Sequence, residues 1–160
     1  MNIQPLLIEA ERYLTEKDVD RAAELYVHAQ QQCGGRSPMP LVGLARIAIL
    51  MQRFDEARQL LTGVQALFPD CAEALTLLGV LEEAGGDLDA AAALHTRALA
   101  IDPALAVAHV NLGRTWALLH RWELAAASYT LAIQHGAHDV AVKVQLGTAL
   151  FRAQRTPEAL

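Results

Sequence analysis

The sequence predicts an all-α chain of stacked antiparallel helical hairpins, and three observations lead there. Leu44, Leu78, Leu112 and Leu146 stand 34 residues apart, each followed by a small residue: Ala45, Gly79, Gly113 and Gly147. The same period returns in Ala57, Ala91, Ala125 and Ala159, in Val64, Ala98 and Ala132, and in Pro69 and Pro103. Within each period the apolar residues fall three and four apart, the spacing of one helix face. Self-similarity at such a period marks a repeat architecture, in which single hairpins cannot bury their apolar faces and stack to do so. Composition agrees, with 53% hydrophobic but only 5% aromatic residues. Alanine and leucine carry the excess, and both favour helices. A chain of 160 residues can bury one continuous core.

The first helix of each unit, helix A, is expected over about 3–16, 39–52, 72–84, 106–119 and 140–153. Helix B follows over about 19–32, 54–67, 87–100 and 122–134, and a last one opens near Pro157. The units then run over about 3–37, 38–71, 72–105 and 106–139, with 140–160 incomplete. Short breaks separate A from B at Gln52-Arg53, Gly85-Gly86, His120-Arg121 and Gln154-Arg155. Asp20, Asp55, Asp89 and Glu123 sit in the first turn of helix B, where the helix dipole favours a negative charge. Pro69 and Pro103 close a unit because proline cannot continue the hydrogen-bond ladder. The Gly and Ala columns are where helices A and B should touch most closely, so bulk at Gly79 or Gly113 should overpack.

These residues resemble the tetratricopeptide repeat family over essentially the whole chain. Leu75, Leu78, Gly79, Ala91, Ala98 and Pro103 fit its pattern, as do Leu112, Gly113, Trp116, Ala125, Tyr129 and Ala132. His109 and Lys143 depart from the early large residue, and Leu61 and His95 from the aromatic of helix B. The first unit is the most degenerate, with Ala10, Tyr13, Ala22, Tyr26 and Ala29, Gly34-Gly35 in place of the proline, and one extra residue. The resemblance implies a right-handed α-solenoid of about four and a half repeats. Thr156 to Leu160 read as the first turn of another helix B without a polar capping helix. That ending predicts the N-terminal part of a longer chain, or an open end through which the chain self-associates.

Chemistry and charge exclude several functions. The formal charge is −5, and Lys17 and Lys143 are the two lysines. No basic stripe exists to neutralise phosphates, so no nucleic acid is expected as partner. The most apolar stretch, Leu41 to Met51, is too short for a bilayer and contains Arg46, so no membrane is expected either. No secretory signal opens the chain. Cys33 and Cys71 are too few for a disulfide framework, and the expected location is cytoplasmic. His135 and His138 lack the further ligands a zinc site needs, and no cofactor or metal is expected. His95 and His109 fall in core columns and should pack. Glu82-Glu83 read as a solvated face, Trp116 and Trp122 as core or hairpin packing. Nothing marks an active site, and the chain is read as a non-enzyme.

In the resembling family the A helices line the concave face. Carried over, this places inward Leu7 and Glu11, then Met39, Val42 and Arg46, then Glu73, Thr76 and Val80. Val107, Val110, Asn111 and Arg114 follow, then Val144, Gln145 and Thr148. The candidate peptide-binding residues are Val42, Arg46, Glu73, Thr76, Val107, Val110, Asn111, Arg114 and Gln145. Arg46 and Arg114 are the basic groups among them. They either receive an acidic group of a ligand or lie solvated or paired with Glu11 and Glu73. The positions of a chaperone adaptor's carboxylate clamp read Val42, Arg46, Leu77, Val107 and Asn111, or, one unit on, Thr76, Val80, Asn111, Ala141 and Gln145. The resemblance therefore excludes a carboxylate-clamp adaptor. The expected function is a scaffold that holds a peptide or protein segment in the concave groove. The alternatives are the targeting arm of a larger transferase-type enzyme and a small chaperone for secreted proteins.

Overall fold

A computed structural model describes residues 2–155. They form α1 (Gln4–Thr15), α2 (Val19–Cys33), α3 (Met39–Leu50), α4 (Phe54–Leu67) and α5 (Ala72–Ala84), then α6 (Leu88–Ile101), α7 (Ala106–Leu118), α8 (Trp122–Gln134) and α9 (Val140–Arg155). The expected helix near Pro157 lies outside the described residues. The chain is an all-α helical repeat solenoid, with the A helices α1, α3, α5, α7 and α9 and the B helices α2, α4, α6 and α8. Among the described residues no helix is long and apolar enough to cross a membrane. Two compact units divide the chain, Met1–Leu77 and Leu78–Leu160.

In the first unit α1 packs on α2, α2 on α3 and α3 on α4. Its core is built on Ala10, Ala22, Tyr26 and Ile47, with Leu7, Tyr13 and Leu44 packed around them. In the second unit α6 packs on α7, α7 on α8 and α8 on α9. Ala125, Tyr129, Ala132, Val142 and Ala149 form its centre, flanked by Val110, Trp116 and Leu146. The small residues of the repeat columns let the rings of the B helices lie flat on the neighbouring backbone. A Cβ built on Gly79 would stand 2.5 Å from the His95 ring, and one on Gly113 would stand 2.8 Å from the Tyr129 ring. Gly43 meets the ring of Tyr26 in the same manner.

Four of the A helices end in the same device. Asp18, Arg53, Asp87 and Arg121 donate their backbone N–H to the carbonyls of Tyr13, Ala48, Glu82 and Trp116, five residues back. The preceding residues Lys17, Gln52, Gly86 and His120 donate to Leu14, Ile49, Glu83 and Ala117. This double closure satisfies the last carbonyls of the helix and requires a left-handed residue before the turn leaves. Lys17, Gln52, Gly86 and His120 have φ of 63°, 59°, 88° and 57°. Only one of the four is glycine, and an L-residue there is strained by roughly 1–2 kcal/mol. Gln52→Gly is therefore expected to stabilise the chain by about 0.5–1 kcal/mol, and Gly86→Ala to destabilise it by a similar amount. Urea midpoints of the two variants measured against the parent check both signs. The next residue starts helix B, and Asp18 and Asp87 cap it by accepting the N–H of Arg21 and Ala90 at 3.2 and 2.9 Å.

Candidate functional site

The same column of the A helices carries Glu11, Arg46, Val80, Arg114 and Thr148. In the first unit this register brings Glu11 of α1 and Arg46 of α3 into an ion pair. The Tyr26 hydroxyl stands between them. It donates to Glu11 Oε1 at 2.5 Å and accepts from Arg46 Nη2 at 2.9 Å. Burial, reinforced by the Glu11 hydrogen bond, holds the phenol above its ordinary range, so Tyr26 stays a donor. The three groups form a latch across α1, α2 and α3, and Arg46 arrives at the surface already matched to a carboxylate.

In the second unit Arg114 also has an internal partner, and it is Glu83 rather than the expected Glu73. Arg114 Nε donates to Glu83 Oε1 at 2.7 Å, and Thr115 Oγ1 donates to Glu83 Oε2 at 2.9 Å. The Glu83 side chain is only 13% exposed, which corrects the reading of Glu82-Glu83 as a solvated face. Glu73 instead lies beside the Cys71 thiol, Sγ to Oε2 at 3.7 Å. Beneath the Arg114–Glu83 pair, His95 and Tyr129 are buried in the ring column that Tyr26 holds in the first unit. Burial, and secondarily the charge of Arg114, pushes the His95 imidazole down to about 4. Burial pushes the Tyr129 phenol up.

A cleft of about 300 Å³ opens on this unit between α7, α8 and α9. Arg114, Ala117 and Leu118 form one wall, Trp122 and Tyr129 the floor, and Gln145, Thr148 and Ala149 the other wall. Two of the nine candidate residues, Arg114 and Gln145, meet here. Trp122 and Tyr129 join them from helix B, where sequence reasoning assigns packing alone. The signal available is the apolar first position of each B helix, shared by Phe54, Leu88 and Trp122. Arg114 is the one charged residue among those that line the cleft, and it is paired with Glu83. The Arg152 guanidinium lies 5.8 Å above the Trp122 ring.

The other candidates are placed elsewhere. Val42, Thr76 and Asn111 are buried and offer a ligand almost no surface. Thr76 donates its hydroxyl to the Ala72 carbonyl at 2.9 Å. Arg46 belongs to the Tyr26 latch and Glu73 to the Cys71 neighbourhood. Val110 packs on the α8 core, and Val107 is exposed on α7. His109 is a packed core residue as expected: its Nε2 donates to the Pro103 carbonyl at 2.9 Å, and its ring stacks on His135 at 5.4 Å. Among the described residues no three His, Cys, Asp or Glu side chains converge as a metal ligand set.

A family model described as tetratricopeptide repeat matches residues 42–106. No curated protein sequence gives a significant match. Among solved structures the chain is similar to TTC0263, a thermophilic TPR protein of Thermus thermophilus, with 21% identity and a TM-score of 0.78 over 99% of this chain and 86% of that one. It is similar to the Sgt2 TPR domain from Aspergillus fumigatus, with 20% identity and a TM-score of 0.67 over 74% and 80% of the two chains. It is also similar to the first TPR of Spaghetti (RPAP3) bound to the HSP90 peptide SRMEEVD. There the identity is 14% and the TM-score 0.68, over 74% and 94% of the chains. At these identities the likeness carries the fold.

Proposed function

We propose, taking as premise that this chain belongs to the tetratricopeptide repeat family, that it is a non-catalytic protein-interaction scaffold seating a peptide or protein segment in the α7–α8–α9 cleft. The observation that carries this reading is the cleft itself. It is a concave site where an aromatic floor meets convergent polar groups on both walls, the usual make-up of a recognition pocket. Trp122 supplies a large rigid contact of the kind that dominates interface energetics. Gln145 offers an amide to a peptide backbone, and Thr148, whose hydroxyl donates to the Val144 carbonyl at 3.0 Å, offers its oxygen as an acceptor. Arg114 enters that contact already carrying Glu83, so its charge is offset within the protein. The peptide held by the related RPAP3 repeat supports the general mode. It does not transfer the ligand, because the clamp positions differ here. A cytoplasmic setting is part of the same proposal.

Affinity capture from native lysate, followed by titration of the purified partner, tests the reading. A Trp122→Ala, Gln145→Ala variant with unchanged helix content is expected to bind at least about tenfold more weakly, a loss near 1.4 kcal/mol. A partner bound equally by both chains would move the site away from the cleft. Capture of further copies of the chain alone would favour association through α9 instead, where Val140, Val144 and Phe151 are 76%, 61% and 56% exposed.

A further inference from the structure

The spacing Ala22-Tyr26-Ala29 in α2 recurs as Ala91-His95-Ala98 in α6. Arg46 and Arg114 likewise share one place in the A-helix column. In the first unit the ring below the arginine satisfies it, Arg46 Nη2 lying 2.9 Å from the Tyr26 hydroxyl. Imidazole lacks the reach of a phenol. His95 is wholly buried against Gly79, and among the described residues neither ring nitrogen has a hydrogen-bond partner. Of the charged groups on the elements around it, α7 supplies Arg114, while its His109 is engaged with the Pro103 carbonyl. On the α5 side the second unit carries Glu82 and Glu83, and Glu83 is held by Arg114 and Thr115. Asp89 and Arg97 of α6 itself are exposed.

We infer that His95 is an acid-sensitive strut beneath the cleft: neutral, it supports Arg114 on Glu83, and protonated, it drives Arg114 off Glu83 and unseats the α7 wall. This rests on the cleft being the binding site. An imidazolium formed here would be a buried cation without a hydrogen-bond partner at either ring nitrogen and with the Arg114 charge acting on it. Such a charge is accommodated by movement rather than by solvation. The depressed titration of His95, due first to burial and then to Arg114, agrees with this. The sign follows from linkage. The unfolded chain binds this proton near the ordinary 6.5 and the folded chain only near 4. The contribution of neutral His95 is therefore complete above pH 6.5 and is lost as pH falls toward 4.

The test follows the Arg114 Nε–H resonance by nitrogen-15 NMR from pH 7 to 3, with far-UV circular dichroism recorded in parallel. In the wild-type chain the signal of the Glu83-bound Nε–H is expected to disappear within that range while helix content persists. In His95→Phe the signal is expected to persist to lower pH than in the wild-type chain. Should that variant fold poorly, His95→Leu takes its place, since Leu61 holds the same column in the preceding unit. An unchanged midpoint in the variant overturns the inference. So does a wild-type signal that survives to pH 3, or one lost only together with the helix signal. The readout needs no ligand. Failure of the cleft as a binding site would show up separately, as unaltered capture by the Trp122→Ala, Gln145→Ala variant with the His95 transition intact.

Discussion

Tyr26→Ala is expected to destabilise the chain by about 3–5 kcal/mol, the range for truncating a buried aromatic ring. The ring is 1% exposed, lies on Gly43 and packs with Ala10, Ala22 and Ile47. The small residues among these neighbours are too short to swing in and fill the space. Truncation also strands the latch, since Glu11 and Arg46 lose the hydroxyl that bridges them. Tyr26→Phe separates the two contributions. It keeps the packing and leaves the Glu11–Arg46 pair intact, so it is expected to lose about 1 kcal/mol, the net worth of a hydrogen bond. Urea denaturation of the three proteins measures both. Equal losses in Tyr26→Ala and Tyr26→Phe would mean that the latch, and not the ring, holds α1, α2 and α3 together.

Gly113→Leu is expected to destabilise by about 3 kcal/mol, at the upper end of overpacking effects. Even the first carbon of a side chain would stand 2.8 Å from the Tyr129 ring. That ring is 2% exposed and forms part of the floor of the cleft. Its displacement should perturb the cleft together with the core. Gly63 is the control. It also lies within a helix, α4, but a Cβ there meets nothing within 4 Å. Gly63→Ala should stabilise by about 1 kcal/mol through helix propensity alone. Thermal melts of Gly113→Leu and Gly63→Ala moving in the same direction would rule out ring-on-glycine packing as the reason for the small-residue column.

Much of this is legible in the chain because a repeat multiplies weak signals. One amphipathic stretch is ambiguous, but Leu44, Leu78, Leu112 and Leu146 in register leave little freedom in helix type or turn position. The nine helices of the described residues fall where the periodicity places them, within a residue or two. The ring-on-glycine contacts are legible too, since the Gly79 and Gly113 columns stand opposite the ring column of helix B. The pairing of Arg46 with Glu11 is visible as one of two options, both residues occupying a single column one unit apart.

Other features are not in the pattern. Arg114 chooses Glu83 over Glu73 because side-chain reach, about a helical turn, lets a residue meet a partner displaced along the neighbouring helix. Periodicity assigns columns and carries no information on that offset. The same limit explains why Val42, Thr76 and Asn111 read as groove residues and are buried. A helical face has the same spacing whether water or another helix lies against it.

Local periodicity and side-chain volume are thus enough to specify the all-α repeat, the hairpin boundaries and the close contacts of small residues with rings. Each of these is settled within one unit and then repeated. Three-dimensional packing was needed to assign a carboxylate to each arginine, to find His95 buried with its ring nitrogens unsatisfied, and to open a cleft of α7, α8 and α9 over Trp122 and Tyr129. These features depend on distances of a few ångströms between residues far apart in the chain, where side-chain length and helix offset, rather than period, set the outcome.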